Sequence, residues 1–231
     1  MWVCEVAVST CCEDWLGQLD LLLFPSPTAG AGAALDLPLA SSSSMTPPHL
    51  PFATLPFVFP NPATHFGPQF NANRSTLLTL PPAFAHARVF ALVTGHGSDP
   101  PPPVGQGCEY APTEHVFYLG APGGSAPLLA LNTSLAAPQQ YLLAGSIFGC
   151  SDKVPLGVLG NQHGDWRDGR NGWCPGQGVA PVLSADIASA LAGLPVVQVT
   201  YQAFSFYTDL TNRSLQGCGG DIQWSAALLL Y

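Results

Sequence analysis

Charge is what this sequence has least of. Only 9% of its 231 residues are Asp, Glu, Lys or Arg, and six basic side chains stand against fourteen acidic ones, a formal net charge of −8. Six scattered cations cannot line a phosphate backbone, so nucleic acid is excluded as a partner. Long apolar runs are missing too. None approaches the ~18 residues of a spanning helix, so no membrane span is expected. The first twelve residues, MWVCEVAVSTCC, carry no Lys or Arg, so the basic start of a signal peptide is absent. The histidines, at 49, 65, 86, 96, 115 and 163, form no H-x-H or H-x-x-x-H pair, and C-x-x-C is absent. No metal site is expected from such spacing. No G-x-S-x-G and no phosphate loop occur.

What is present points to an oxidising compartment. There are seven cysteines beside only two methionines. Three glycan-acceptor triplets begin at Asn73, at Asn132, whose polar, proline-flanked stretch LNTSLAAP between strands marks it as the exposed and best-placed acceptor, and at Asn212. Together these predict a secreted or extracellular protein. A secreted-looking body without a signal suggests an incomplete N-terminus.

The chain divides by composition. Residues 1–24 open with a strand-like alternation. Residues 25–66 are rich in Gly, Ala, Ser and Pro, and read as a linker, because proline lacks the N–H that a central strand donates. From about Leu77, short apolar runs recur at Val89–Val93, Val116–Leu119, Tyr141–Phe148, Val196–Tyr207 and Ile222–Leu230. Val197, Val199, Tyr201 and Ala203 alternate with Gln198, Thr200 and Gln202. A period of two buries one face and wets the other, as in a sandwich strand. Ser184–Leu191 alone reads as a short helix. The expected class is all-β, an antiparallel sandwich or jelly roll over residues 67–231.

Chemistry concentrates in three places. In VTGHG (93–97), glycines flank His96 at a strand end, which fits a held rim histidine or a plain turn. In GCEYAPTEH (107–115), Glu109, Tyr110, Glu114 and His115 suit acid–base work, sugar hydroxyls or a solvated loop. In QHGDWRDGRNGWCPG (162–176), Asp165, Arg167, Asp168 and Arg170 crowd beside Trp166, Trp173 and Cys174. A bond from Cys150 to Cys174 would close this loop and contribute about 3–4 kcal/mol by restricting the unfolded chain. A tied loop could present tryptophan faces and arginine forks outward, or simply pack.

Taken in order, ARVFALVTGHG, GCEYAPTEHVFYL, the GC at 149–150 and DWRDGRNGWCPG resemble the C-terminal domain of the peptide-N-glycosidase F family. The resemblance covers roughly Leu77 to Tyr231. It implies an eight-stranded jelly roll, one of two in the complete enzyme. It also implies an amidase that cleaves the bond between a glycan's first N-acetylglucosamine and asparagine, with no cofactor or metal. By position, Glu109 matches a substrate-binding glutamate and Tyr110 its neighbouring aromatic. Arg170, Trp173 and His96 belong to the matched motifs, and Cys150 and Cys174 to the matched disulfide. Glu109 is thus the candidate catalytic residue, with Tyr110, Arg170, Trp173 and His96 in substrate binding. Glu109, Arg170 and Trp173 are expected to converge on one cleft.

The sequence also departs from the family. The second cysteine of Cys-x-Glu-aromatic-Cys is replaced near Ala111, and one residue is missing after Cys108. CCEDWLGQLD (11–20) resembles the first-domain motif whose Asp after Trp activates water, but that position is Leu16 here. Leucine neither accepts a proton nor orients water. Asp14 or Glu114 would have to substitute. Residues 1–24 therefore read as the remnant of a first jelly-roll domain. Two function classes follow: a non-catalytic glycan-binding or structural module for N-linked glycans or glycoproteins, and an active glycoamidase. A copper monooxygenase shares the jelly-roll architecture, but Met1 and Met45, the only methionines, lie outside the sandwich, which leaves the metal without its ligand.

Overall fold

A computed structural model describes residues 4–5, 18–19, 50–97, 107–124, 127–146, 150–158, 169–206 and 212–231. The chain forms two compact units, Met1–Leu50 and Pro51–Tyr231. In the first, β1 (Cys4–Glu5) pairs antiparallel with β2 (Gln18–Leu19). Asp14, Trp15 and Leu16 lie outside the described residues, as do Asp165 to Asp168.

The second unit is an antiparallel β-sandwich, as the alternation predicted. Its strands are β3 (Ala53–Pro56), β4 (Ser75–Thr79), β5 (Ala87–His96), β6 (Thr113–Gly120), β7 (Leu128–Asn132), β8 (Val182–Leu183), β9 (Val196–Phe206), β10 (Arg213–Ser214) and β11 (Asp221–Leu230). One sheet runs β10–β9–β6–β7, with β4 sharing an edge of β9 with β10; the other runs β3–β11–β5–β8. The strands from β3 to β11 number nine among the described residues, one more than the eight expected.

The core lies between the sheets. β5 alternates buried and half-buried residues along its whole length. On β9, Val197, Val199, Tyr201 and Ala203 are buried and Gln198, Thr200 and Gln202 are not. Tyr201 is the hub. Its ring lies 5.0 Å from that of Phe117, 5.3 Å from that of Trp224 and 6.0 Å from that of Phe59, within the reach of favourable ring pairing. Arg74 is buried beside these rings, its guanidinium 4.4 Å from the Phe70 ring centroid and its Nε donating to the Phe70 carbonyl. Burial pulls its pKa below the ordinary value, and the nearby Tyr201 acts the other way.

Three expectations are corrected here. Residues 51–66 are no linker. β3 pairs with β11, and Phe57, Phe59 and Phe66 enter the core. Proline is tolerated there because β3 is an edge strand, with one side free of a partner. The apolar run from Tyr141 is no strand. Pro138 starts a helical turn, α3 (Pro138–Tyr141), and the buried Tyr141 donates its hydroxyl proton to the Val93 carbonyl. Phe148 lies outside the described residues. Asn132, expected as an exposed acceptor, is half-buried. Its Oδ1 accepts from the N–H groups of Ser134 and Leu135, capping α2 (Thr133–Ala136), and its Nδ2 donates to Glu114. Asn73 and Asn212 are exposed. Asn73 has a φ of 54° and lines an open depression of about 480 Å³ with Arg74, Ser75 and Gln202.

The helix read at Ser184–Leu191 is present as α4 (Ala188–Leu191), shorter by half. Asp186 fastens its start. One carboxylate oxygen accepts from the N–H groups of Ala87 and Ala188, and the other lies 2.6 Å from Nδ1 of His86. Slight burial pushes the Asp186 carboxyl up, but these hydrogen bonds outweigh it and hold the pKa down at about 2. A folded pKa below the ordinary 3.8 means stability that is present above that value and lost as pH falls towards 2. Asp186→Asn is expected to lower the melting temperature at pH 7. The gap from the parent should close when melting curves are repeated near pH 2.

Candidate rim site

The site forms where a loop lies flat on the end of β5. Residues 169–174 run across that end, and neighbouring backbone holds each step. Gly169 N–H donates to the Ser146 carbonyl, Asn171 N–H to the Glu109 carbonyl and Gly172 N–H to the Gln140 carbonyl. In return the Asn171 carbonyl accepts from Gly95 N–H. So close an approach leaves no room for side chains at two positions. A Cβ on Gly95 would sit 2.0 Å from the Cys108 carbonyl oxygen, and one on Gly172 would sit 2.1 Å from that of Val93. Gly172 also has a φ of 87°, a conformation that costs any other residue.

Two disulfides secure the ends. Cys150–Cys174 ties the loop, as the resemblance implied. Cys108–Cys218 joins α1 (Gly107–Tyr110) to the turn before β11. The sequence left that second pairing open, because the family's second cysteine is replaced near Ala111; the partner found lies 110 residues away.

Four of the expected site residues meet on this platform, and His96 joins them from β5. Arg170 Nε donates to Glu109 Oε1 at 2.9 Å. The guanidinium carbon lies 4.5 Å from the Tyr110 ring centroid and 5.9 Å from that of Trp173. Trp173 donates its indole N–H to the Gly95 carbonyl at 2.9 Å and stacks on His96 with 5.4 Å between ring centroids. His96 Nε2 lies 2.8 Å from the Thr94 hydroxyl. Burial lowers the His96 pKa and Asp221, opposite it on β11, partly offsets this, so the imidazole is neutral at pH 7.

For Arg170 both an outward fork and simple packing were open; its side chain is fully buried, while 20% of the Glu109 side chain stays exposed. A buried guanidinium without a carboxylate would be costly, so the pair stays together. The arginine holds and the glutamate faces out. Glu114, the other acid of that segment, is buried on the far side of β6. It accepts from Asn132 and pairs with Arg213 at 2.8 Å. Those contacts leave it poorly placed to substitute for a missing base. Among the described residues no group of three His, Cys, Asp or Glu could hold a metal ion.

Asn171 went unnoticed in the sequence as a site residue. The signal was there: an Asn before a glycine of positive φ, inside a loop flanked by cysteine. Its side chain is wholly buried and fully engaged, with Nδ2 donating to the Cys108 carbonyl and Oδ1 accepting from Thr113.

Residues 66–214 match the family profile described as peptide-N-glycosidase F, C terminal. The chain belongs to that family. Its fold is also similar to the crystal structure of a peptide-N(4)-(N-acetyl-β-D-glucosaminyl) asparagine amidase. The TM-score is 0.51 at 19% identity, over 77% of this chain and 51% of that one. This chain therefore spans about half the length of that protein. A structure described as PNGF-II aligns with a TM-score of 0.44 at 16% identity, over 78% of this chain and 30% of that one. No curated protein matches the chain.

Gly172→Ala is expected to destabilise this domain by more than ~2 kcal/mol, since both the φ and the Val93 carbonyl oppose a Cβ. Denaturant unfolding measures the loss. An equally stable variant would mean that the loop does not lie on β5.

Proposed function

We propose that this chain is a glycan-binding member of its family, secreted, and non-catalytic as its sequence stands. The observation that carries this is the Glu109 carboxylate, part exposed, braced from behind by Arg170 and flanked by Tyr110 and by the Trp173–His96 stack. Sugars are recognised by such pairings, in which carboxylates accept from hydroxyls or amides while aromatic faces cover the C–H side of the ring. The ligand class is the N-acetylglucosamine–asparagine core of an N-linked glycan. The family resemblance supports that choice, since the similar amidase carries the group in its name. Tyr110, Trp173 and His96 are assigned to contact the sugar, and Arg170 to fix the rotamer of Glu109.

The chemistry argues against turnover. Amide hydrolysis at neutral pH needs a base for water, and losing one costs about 10²–10⁴-fold. By the resemblance of CCEDWLGQLD to the first-domain motif, Leu16 stands where that motif has its acid. The second reading, an active glycoamidase in which Glu109 is the catalytic acid, is favoured by the match at Glu109 itself.

Calorimetric titration with a glycopeptide bearing N-acetylglucosaminyl-asparagine tests both. Binding is expected, weakened about 10–100-fold in Glu109→Ala through loss of a charge-assisted hydrogen bond. Incubation with a denatured N-glycoprotein should leave its mass unchanged. Conversion of the glycosylated Asn to Asp that disappears in Glu109→Ala would establish the amidase instead.

A further inference from the structure

We propose that Thr113 and His115 are positioning residues for the Glu109 rim, acting through a buried hydrogen-bond relay that runs from Tyr201 to Asn171. The relay has four side chains. The Tyr201 hydroxyl lies 2.8 Å from His115 Nδ1, His115 Nε2 lies 2.8 Å from Thr113 Oγ1, and Thr113 Oγ1 donates to Asn171 Oδ1 at 2.8 Å. All four residues are at most 1% exposed. The inference rests on the glycan-binding reading for its ligand, but not for its geometry.

Counting protons fixes the direction of every bond. Asn171 Nδ2 donates to the Cys108 carbonyl, so its Oδ1 is the end that faces Thr113. The flipped amide would set two carbonyl oxygens against each other. The one hydroxyl proton of Thr113 is therefore committed to Asn171, and His115 Nε2 must supply the proton of the next bond. A neutral imidazole carries one N–H, which leaves Nδ1 bare to accept from Tyr201. A charged ring would instead donate from Nδ1 to the Tyr201 oxygen, but it would place a cation in a wholly buried site. Burial agrees with this, holding the His115 pKa down at about 3 and pushing that of Tyr201 upward.

Asn171 is where the relay meets the site. Its backbone N–H donates to the Glu109 carbonyl and its own carbonyl accepts from Gly95 N–H, at 2.8 Å each. The Gly95 carbonyl takes the Trp173 indole. Arg170 is its chain neighbour. The Asn171 backbone thus joins three segments, α1 with Glu109, the 169–174 loop with Arg170 and Trp173, and the end of β5 with His96, and its side chain joins them through the relay to the Tyr201 hub of the core. An arrangement that only satisfied buried polar groups would need none of these connections to the rim. Positioning of this kind acts through the rotamers of the residues that touch ligand.

The test uses the whole chain, with Thr113→Val, which keeps the shape and removes the hydroxyl, and Thr113→Ser, which restores it. Two readouts are taken well below each melting temperature. One is affinity for the N-acetylglucosaminyl-asparagine glycopeptide. The other is hydrogen exchange of the Trp173 indole N–H, followed by NMR relative to the backbone amides of the β5–β11 ladder. Positioning predicts about 10-fold weaker binding and about 10-fold faster relative indole exchange in Thr113→Val, both recovered in Thr113→Ser. A variant of lower melting temperature with both readouts within about 2-fold of the parent would reduce the relay to core packing and overturn the proposal. If the parent does not bind the glycopeptide, the glycan reading fails and the indole readout alone decides the positioning role. Should Thr113→Val not fold, Tyr201→Phe breaks the relay at its far end and is judged by the same two criteria.

Discussion

The site depends on a backbone-to-backbone contact. The 169–174 loop and the end of β5 approach so closely that neither Gly95 nor Gly172 could carry a Cβ. Asn171 is clasped between β5 and α1 by two main-chain hydrogen bonds. From this contact the rest follows. Arg170 is driven inward against Tyr110, its charge is met by Glu109, and Trp173 is laid on His96. The two disulfides add little geometry of their own. They restrict the unfolded chain and keep the loop and α1 near their seats, the model-dependent entropic effect expected of cross-links.

Charge scarcity gives this arrangement its meaning. In a chain with six basic residues, three of them, Arg74, Arg170 and Arg213, are stacked over aromatic rings. Arg170 and Arg213 also pair with glutamates, Glu109 and Glu114 respectively. Arginine suits both contacts at once, because its planar face packs on a ring while its edge donates. The difference between the two ion pairs lies in which partner is covered. At the rim the arginine is buried and the acid part exposed. At Arg213 the acid is buried and the arginine about half exposed. Only the first leaves a carboxylate facing outward beside aromatic rings.

Polar groups buried in the sandwich follow the same economy. Thr113, His115, Asn171 and Tyr201 satisfy one another in a chain with one consistent set of proton positions. Unmet, each would carry a desolvation cost of about 1–3 kcal/mol. Asn132 shows the same logic at a helix start, where its amide oxygen caps α2 and its nitrogen holds Glu114.

Local pattern made much of this legible. Period-two alternation marked β5, β9 and β11 and hence the sandwich, because a strand with one wet face must alternate. The spacing and residue types of RNGWCPG marked the loop and its family. By itself the sequence determined fold class and family, and it pointed to Glu109, Tyr110, Arg170, Trp173 and His96, though not to Asn171, at the rim. Only the tertiary structure decided that β3 joins the sheet, that Cys108 meets Cys218, that Arg170 faces inward, that Asn132 caps a helix, and that His115 connects to Asn171. Each of those depends on which surface arrives from a distant part of the chain, such as β11 against β3 or β6 under the loop. Periodicity records whether a residue is to be buried. It does not record against what, and the partner settles whether a buried polar group braces, caps or binds.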